Sequence, residues 1–572
     1  MVCLALGREG MLTQHDPLVY YTLAVLLVIG YFWPRLGDPF FRAIERWGSR
    51  LATHQAASAA GVALLVVILR LAVLPLDGIP VPSIHDEFSY LLAADTFAHG
   101  RLTNPPHPLW IFFETFHVNV LPTYMSKYPP AQGAVLAIGQ LLGHPWIGVL
   151  LSMGAMCGLI TWMLQGWLPA RWALLGGMLT AARFFAFSYW MDSYWGGALP
   201  AIGGAVALGA LPRLLRHQRW RDGILLGLGI GILANSRPYE GMIFCLPLAG
   251  ALGWWLLRDR KARLPGARWH VIAAISCMLI ASGAFMAYYN WRGTGNALLF
   301  PYVLNERTYF STPDFCWQEM GPARHYRNAQ FDEYYNRWCR RVWRMGRLTP
   351  TRAGIDLGGW RKLKDLQGFY LPTAFFLPVL AALPWILRNR KGRFLLLVCA
   401  CTTLGILPVV WFQMHYAAAM TAAALGVSMI GLRYIRAWSV SGRAAGLGLS
   451  RALVISHLLP ILLGLALVGQ EHTLKYPSPV WTTYYRLQME AQLESKPGQQ
   501  LVLVRYSAKH NPEEEWVYNR ADIDHAKVVW AREIPGEDLR PLFDYFRDRQ
   551  VWLIEPDTSP LMLQTYPSHP NP

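Results

Sequence analysis

Pro82-Ser83-Ile84-His85-Asp86-Glu87-Phe88-Ser89-Tyr90, with Pro105-Pro106-His107-Pro108 and Ser126-Lys127-Tyr128-Pro129-Pro130 farther along, decides how this 572-residue chain is read. Two adjacent carboxylates, four histidines and a lysine fall within residues 80–133. They sit in a polar loop that follows directly on the apolar run Ala57 to Leu76. A run of that length matches the roughly 20 residues that cross a bilayer as helix, so the loop begins near a membrane surface.

Composition explains why such a loop stands out. The chain is 53% hydrophobic and only 15% charged, too apolar for an ordinary soluble multidomain protein. Further apolar runs, Trp146 to Leu164, Val271 to Tyr289 and Leu453 to Val468, have the same character, and backbone groups in lipid must pair within their own segment, so helices are expected. The net charge of +17 would suit a nucleic-acid partner, but Arg and Lys cluster in short links between apolar runs, at 35–50, 171, 213–221, 258–268, 388–393 and 433–451. That is the pattern of topology signals, and no nucleic acid is expected. Placing these links in the cytoplasm gives a path of about twelve helices with both termini outside. Residues 80–145, the links around Asp192 and Arg237, the segment 290–367 and the tail after 470 then share the outer side. The first apolar run, Leu18 to Trp33, follows a polar start without a basic region or a small-residue cleavage site, and reads as a retained helix.

The expected fold is an all-α polytopic membrane protein with a small C-terminal extracytoplasmic α/β domain. Residues 1–55 read as an extra N-terminal transmembrane helix and basic cytoplasmic link, 56–470 as the transmembrane catalytic module with external loops 77–145 and 290–368, and 471–572 as the α/β domain. Within the last, 501–506, 527–530 and 551–554 read as short buried strands and 537–549 as an amphipathic helix. It carries no Gly-rich phosphate loop and no triad-like constellation, and reads as a lid, scaffold or partner-binding piece.

Several residues are candidates for chemistry, each with a plainer alternative. Residues 87–98 have helical spacing, with Ser83 placed as N-cap and Asp86 at the capping-box position. Asp86 and Glu87 are then either first-turn acids favoured by the helix dipole or reactive carboxylates. A second short helix is expected over 131–142. Asp192, in the aromatic link 187–197, is either a solvated acid in an interfacial belt or a carboxylate facing a sugar stacked on rings. Asn235-Ser236-Arg237-Pro238-Tyr239-Glu240-Gly241 interrupts an apolar run, and Arg237 there either pairs with Glu240 or binds an anion. His415 and Tyr416 join two apolar runs at the outer face. Asp332 and Glu333 fall in an expected surface helix, 331–338.

Cys157, Cys245, Cys277, Cys399 and Cys401 lie in apolar runs as small buried residues. Cys316 and Cys339 share the outer segment, where an oxidising compartment permits a disulfide; whether the two sulfurs meet stays open. There is no CxxC and no metal-finger spacing. Asp86, Glu87 and the histidines could hold a divalent ion, but no spacing assigns metal ligands, and metal dependence stays open.

His85-Asp86-Glu87 before an aromatic-rich helix, then Lys127-Tyr128-Pro129-Pro130 before the next apolar run, resembles the first external loop of the GT-C superfamily of membrane glycosyltransferases. It is most similar to the branch of protein O-mannosyltransferases and lipid A aminoarabinose transferases, which carry an Asp-Glu pair and a Lys-Pro-Pro-like element. Here a Tyr intervenes, and Ser-Arg-Pro-Tyr-Glu-Gly stands where that branch has a Lys-Gly style element. The similarity in organisation covers roughly residues 57–435. It implies a polyprenyl-phosphate sugar donor entering from the bilayer, and an acceptor hydroxyl on a glycan, lipid or protein that displaces the lipid phosphate with inversion, at the outer face of the plasma membrane. It also implies Asp86 as base and Glu87 as the residue orienting the acceptor or Asp86. Lys127 and Arg237 would bind the donor phosphate, with His85, Tyr128, Asp192, Tyr239, Glu240, His415 and Tyr416 contacting substrate. A nucleotide sugar is not suggested, since no soluble nucleotide-binding domain is visible.

Two other classes compete. A transporter or flippase of a lipid-linked or anionic substrate would use the broken helix around Arg237 as a midplane site, and predicts internal repeats that the sequence does not display. A noncatalytic assembly protein would use the tail to bind a partner.

Overall fold

The computed structural model describes residues 17–186, 188–258, 267–468 and 480–567. Most of the basic link at 258–268, the start of the tail at 469–479, Phe187 of the aromatic link and residues 1–16 lie outside the described residues.

The chain opens with α1 (Pro17–Phe32), α2 (Asp38–Thr53) and α3 (Gln55–Asp77), followed by α4 (His85–Ala98), α5 (Pro130–Leu141), α6 (Pro145–Trp167) and α7 (Ala170–Phe184). Next come α8 (Ala198–His217), α9 (Trp220–Ala234), α10 (Pro238–Arg258), α11 (Ala267–Thr294) and α12 (Pro301–Tyr309). Long helices recur at Arg390–Ile406, Thr421–Arg436 and Ala445–Val468.

The protein is an integral membrane protein. Among the described residues six helical stretches are long and apolar enough to cross a bilayer: Gln55–Leu76, Pro145–Trp167, Ala198–His217, Pro238–Leu257, Arg268–Thr294 and Met414–Arg436. Shorter apolar helices run over Val19–Phe32 and Ala445–Leu459. α7 and α9 have 15 residues each, a rise of about 22 Å against a hydrocarbon core of roughly 30 Å. Helix length therefore does not reach the count of about twelve spans.

α6, α8 and Thr421–Arg436 form the centre, while α3, α10 and α11 turn Leu64, Ile68, Met242, Leu246 and Ile280 outward. The reason lies in side-chain size. α8 begins Ala-Leu-Pro-Ala-Ile-Gly-Gly-Ala, and a Cβ at Gly204 would stand 2.0 Å from the Ala419 carbonyl oxygen. Small residues let helix backbones approach where lipid offers no hydrophobic drive between helices.

The C-terminal domain holds a four-stranded sheet of order β4-β3-β5-β6. Its strands are β3 (Gln499–Val504), β4 (Val528–Arg532), β5 (Arg549–Ile554) and β6 (Leu563–Thr565); the first three are parallel and β6 is antiparallel to β5. The expected strands are present with shifted ends, and β6 is additional. The helix expected over 537–549 is only Arg540–Tyr545, because Gly536 turns the chain with φ 87° and Phe546 leaves the helix to pack beside Phe113.

The cysteine question left open is answered, and one further expectation is corrected. Cys316 and Cys339 are both free thiols: Cys339 is buried among Phe116, Tyr309, Phe331, Tyr334 and Tyr335, whereas the Cys316 backbone N–H is bound to Pro408 at 2.9 Å. The surface helix 331–338 is a wide π-type turn over Asp332–Trp338 that buries Tyr334 and Tyr335. Asp332 and Glu333 are occupied with Arg337, at 3.6 and 3.3 Å.

Candidate active site

Glu87, not Asp86, caps α4. Ile84 takes the extended conformation of the N-cap (φ −132°, ψ 159°), which places Glu87 at the third helical position, where a carboxylate reaches back to the cap. Its Oε2 accepts from the Ser83 N–H at 2.7 Å, the Ser83 hydroxyl at 3.2 Å and the Ile84 N–H at 3.3 Å, and its Oε1 accepts from the Tyr194 N–H at 2.9 Å. Glu87 thus ties the start of α4 to the link 188–197. The expected Ser83 cap with Asp86 as its partner is one residue out of register, and the correction leaves Asp86 free of capping work.

Asp86 faces a small hairpin. β1 (Val118–Asn119) pairs antiparallel with β2 (Met125–Ser126), which brings His117 and Lys127 side by side: the Lys127 N–H donates to the His117 carbonyl at 3.2 Å. Ser89 of α4 donates to the same carbonyl at 2.6 Å and lies 2.7 Å from the Ser126 hydroxyl. The hairpin is thereby fixed to α4, with His117 held in the left-handed region at φ 59°. Asp86 Oδ1 receives the Tyr128 hydroxyl and the His117 Nδ1–H, the latter at 2.8 Å. On the far side of the ring, the Tyr334 hydroxyl donates to Nε2 at 3.4 Å. Donor and acceptor on opposite nitrogens fix one neutral tautomer.

The electrostatics follow from these contacts. Burial alone pushes the Asp86 carboxyl up, but the His117 ring beside it and the Lys127 charge outweigh burial and hold it at about 2. His117 is pushed below the ordinary imidazole range by burial and then by Lys127, with Asp86 offsetting part of that. Asp86 is therefore ionised and His117 neutral near pH 7, with 22% of the Asp86 side chain open to solvent.

Lys127 sits among rings: its Nζ lies 5.3 Å from the Tyr128 centroid and 4.9 Å from those of Tyr302 and Phe310. Burial lowers its pKa, opposed by Glu306, Asp86 and Asp314. α12 supplies Tyr302 and Glu306, and is anchored where Asn119 donates to the Pro301 carbonyl at 2.9 Å and Asn305 to Val118 at 3.2 Å. Burial pushes the Glu306 carboxyl up to about 8 and raises that of Asp314, and two carboxyls near one another resist ionising together.

Two further ring contacts flank the site. Tyr128 stacks on Tyr90 at 4.4 Å, and Arg237 lies 4.3 Å over the Tyr416 ring and 3.9 Å from Glu240. The break between α9 and α10 is joined to the start of α5 by the Ala131 N–H, which donates to Asn235 at 3.1 Å. His415 is buried beside Trp195 at 5.0 Å, with Nδ1 3.2 Å from the Tyr189 hydroxyl.

The structure brings His85, Asp86, Lys127, Tyr128, Arg237 and Tyr416 together. Asp192 is elsewhere engaged: it is buried against Arg70 of α3 at 2.8 Å, with side chains 2% and 0% exposed, neither solvated nor facing a sugar. The Tyr239 hydroxyl donates to the Gly405 carbonyl at 2.8 Å. Sequence reasoning missed His117, Glu306, Asp314 and Arg70. Only Arg70, an ionisable residue inside an apolar run, carries a signal that could have found it. No group of three or more His, Cys, Asp or Glu among the described residues is arranged to hold a metal ion. A separate apolar cavity of about 1050 Å³, lined by Leu215, Leu246, Trp254, Trp255, Phe394 and Leu397, shares no residue with this site.

No protein family and no curated protein sequence matches the chain. Among solved structures, ArnT from Cupriavidus metallidurans bound to undecaprenyl phosphate matches 87% of this chain and 92% of its own, at 12% identity and a TM-score of 0.50. The chain shares its overall fold with this ArnT structure. The apo form of ArnT matches 88% of this chain and 93% of its own, at 13% identity and a TM-score of 0.48. The Archaeoglobus fulgidus oligosaccharyltransferase solved with Zn and sulfate matches 78% of this chain, at 12% identity and a TM-score of 0.44; the chain spans 60% of that protein.

Proposed function

We propose that the protein transfers a sugar from a polyprenyl-phosphate donor to an acceptor hydroxyl, with inversion, on the extracytoplasmic side of the membrane. The observation that carries this reading is an ionised, partly open carboxylate, Asp86, that receives the Tyr128 hydroxyl and the His117 ring, with the Lys127 Nζ 5.3 Å from the same Tyr128 ring at the start of the Pro129-Pro130 element. Sidedness rests on the basic links, which place the loop opposite the cytoplasm, and the fold shared with ArnT supports a lipid-phosphate donor.

In this mechanism the acceptor oxygen attacks the anomeric carbon as the bond to the lipid phosphate breaks on the opposite face, and the acceptor proton passes to Asp86. A carboxylate near 2 is a weak base, so proton transfer comes late, after the leaving phosphate has begun to depart. Its low pKa keeps it charged throughout, and that charge also favours the cationic character building on the sugar. Lys127 and Arg237 stabilise the charge growing on the phosphate; Arg237, always protonated, offers a planar two-pronged donor. Glu87 acts through the position of α4.

The transporter reading loses its main support in the same geometry. The broken helix at Asn235–Arg237 is bonded to the loop site through Ala131. The deciding experiment is transfer of labelled sugar from undecaprenyl-phosphate donors by purified wild type and Asp86→Asn at matched folding. Lost turnover with retained donor binding is expected; undiminished turnover removes Asp86 from the role of base.

A further inference from the structure

The C-terminal domain is built into the loop that carries Asp86. Leu92, Phe112, Phe113, Val118, Val120 and Tyr124 share one buried cluster with residues of β3, β4 and β5. Asp95 accepts from the Ala521 N–H at 2.7 Å, and Tyr124 donates to the Asn519 carbonyl at 3.1 Å.

The segment 510–518, between β3 and β4, lies directly against the first turn of α4. His85 donates from Nε2 to the Pro512 carbonyl at 2.8 Å, and Phe88 stacks on Tyr518 at 4.1 Å and 3°. The segment is stiff. Glu515 accepts from the Trp516 and Val517 N–H groups at 3.0 and 2.8 Å, and pairs with Arg532, both buried. His510 bonds Asp557 at 2.8 Å.

Between these fixed points stands Glu513, next to the Pro512 that His85 holds. Its carboxyl receives no hydrogen bond from any described residue; the Asp86 charge reaches it, and its own charge reaches Tyr334 and Cys339. Glu513 is half-buried, its carboxyl reaching solvent as that of Asp86 does. Burial and then the Asp86 charge push it up to about 7.

We propose that the C-terminal domain forms the acceptor side of the site, with Glu513 the carboxyl that binds the acceptor's hydroxyl-bearing group beside Asp86. This rests on the glycosyltransferase reading and extends it, because it makes the tail part of the substrate site. The titratable groups around the 510–518 segment and the α4 turn it packs on are Asp86, a neutral His85 and the capped Glu87, itself pushed up to about 7 by burial, Tyr334 and Cys339 from the 310–346 segment, and the paired Glu515 and Arg532 of its own domain.

The test uses the full chain, an undecaprenyl-phosphate hexose at saturation and an alkyl glycoside as the acceptor probe, from about pH 5.5 to about 8.5. Wild type is expected to show an acceptor KM that changes through pH 7. Glu513→Gln is expected to raise that KM about tenfold and flatten its pH dependence, with undecaprenyl phosphate binding unchanged, and Glu513→Asp to restore part of both. Transfer by wild type with an unchanged Glu513→Gln overturns this inference alone, as does a variant that loses acceptor and donor binding together with its melting temperature. No transfer by wild type to any hydroxyl probe overturns the transferase reading and this inference with it.

Discussion

Asp86 and Glu87 are neighbours whose replacement acts on different properties. Glu87→Ala removes the acceptor of three backbone N–H groups, those of Ser83, Ile84 and Tyr194, at a side chain only 2% exposed. An orphaned buried donor costs about 1–3 kcal/mol. The Ile84 bond is long at 3.3 Å, and Ser83 is partly exposed and finds water, so the total lies near about 3 kcal/mol, well short of three full penalties. At about 1.4 kcal/mol per factor of ten, local opening of the α4 start rises about a hundredfold. Amide hydrogen exchange by mass spectrometry reads this in peptides spanning residues 83–88 and 192–196, with peptides from α6 as internal control. Asp86→Asn leaves those rates within a few-fold and lowers sugar transfer by about 10²–10⁴. Unchanged exchange at Tyr194 in Glu87→Ala would refute the capping role; a loss of transfer in Glu87→Ala without any loosening would return Glu87 to the chemistry.

Arg70→Met removes the ion pair to the buried Asp192 and is expected to destabilise the protein by about 3–5 kcal/mol, with Arg70→Met plus Asp192→Asn recovering most of it; detergent-solubilised melting curves measure both. His117→Gln removes the largest influence lowering the Asp86 pKa and leaves burial to raise it. Because Asp86 acts when ionised, activity is lost as pH falls through its pKa, so the acid limb of the rate profile moves upward by about one pH unit or more; an unmoved limb separates His117 from Asp86. Lys127→Met is expected to reduce transfer by about 10²–10³ and to weaken undecaprenyl phosphate binding, checked by titration of the lipid.

Much of the frame was legible because apolar runs and Pro positions act locally. The expected helix 131–142 is Pro130–Leu141 and the interruption before Pro238 is a true helix break. The cap was misread for an identifiable reason: Ser is the better capping side chain, yet the only acid with donors to satisfy is three residues after Ile84, and those donors include Tyr194, more than one hundred residues away. His117 was invisible as a site residue. Its role depends on a hairpin of two-residue strands, too short to show alternation, and on a backbone conformation that histidine seldom adopts. Arg70 was legible and passed over. The tail was recognised as α/β from its strands, but its contact with α4 depends on pairings some 430 residues apart in sequence, such as His85 with Pro512, which no local pattern announces.

The charges of the outer module divide by what answers them. Arg70 has Asp192, Arg532 has Glu515, and Glu87 has its four donors; each is closed within the protein. Lys127 is different. Three rings around a desolvated ammonium contribute about 2 kcal/mol apiece at best, set against a penalty of several kcal/mol per buried ion. Its neighbouring carboxyls answer it weakly, since burial pushes Glu306 and Asp314 toward their neutral forms and Asp86 already receives His117 and Tyr128. A cation so placed gains most from an anion that arrives with substrate, and a phosphate does this while leaving Asp86 free to meet a hydroxyl. In the proposed reaction the phosphate of the donor would lie toward Lys127, and the acceptor toward the C-terminal domain whose Pro512 carbonyl takes the His85 Nε2–H.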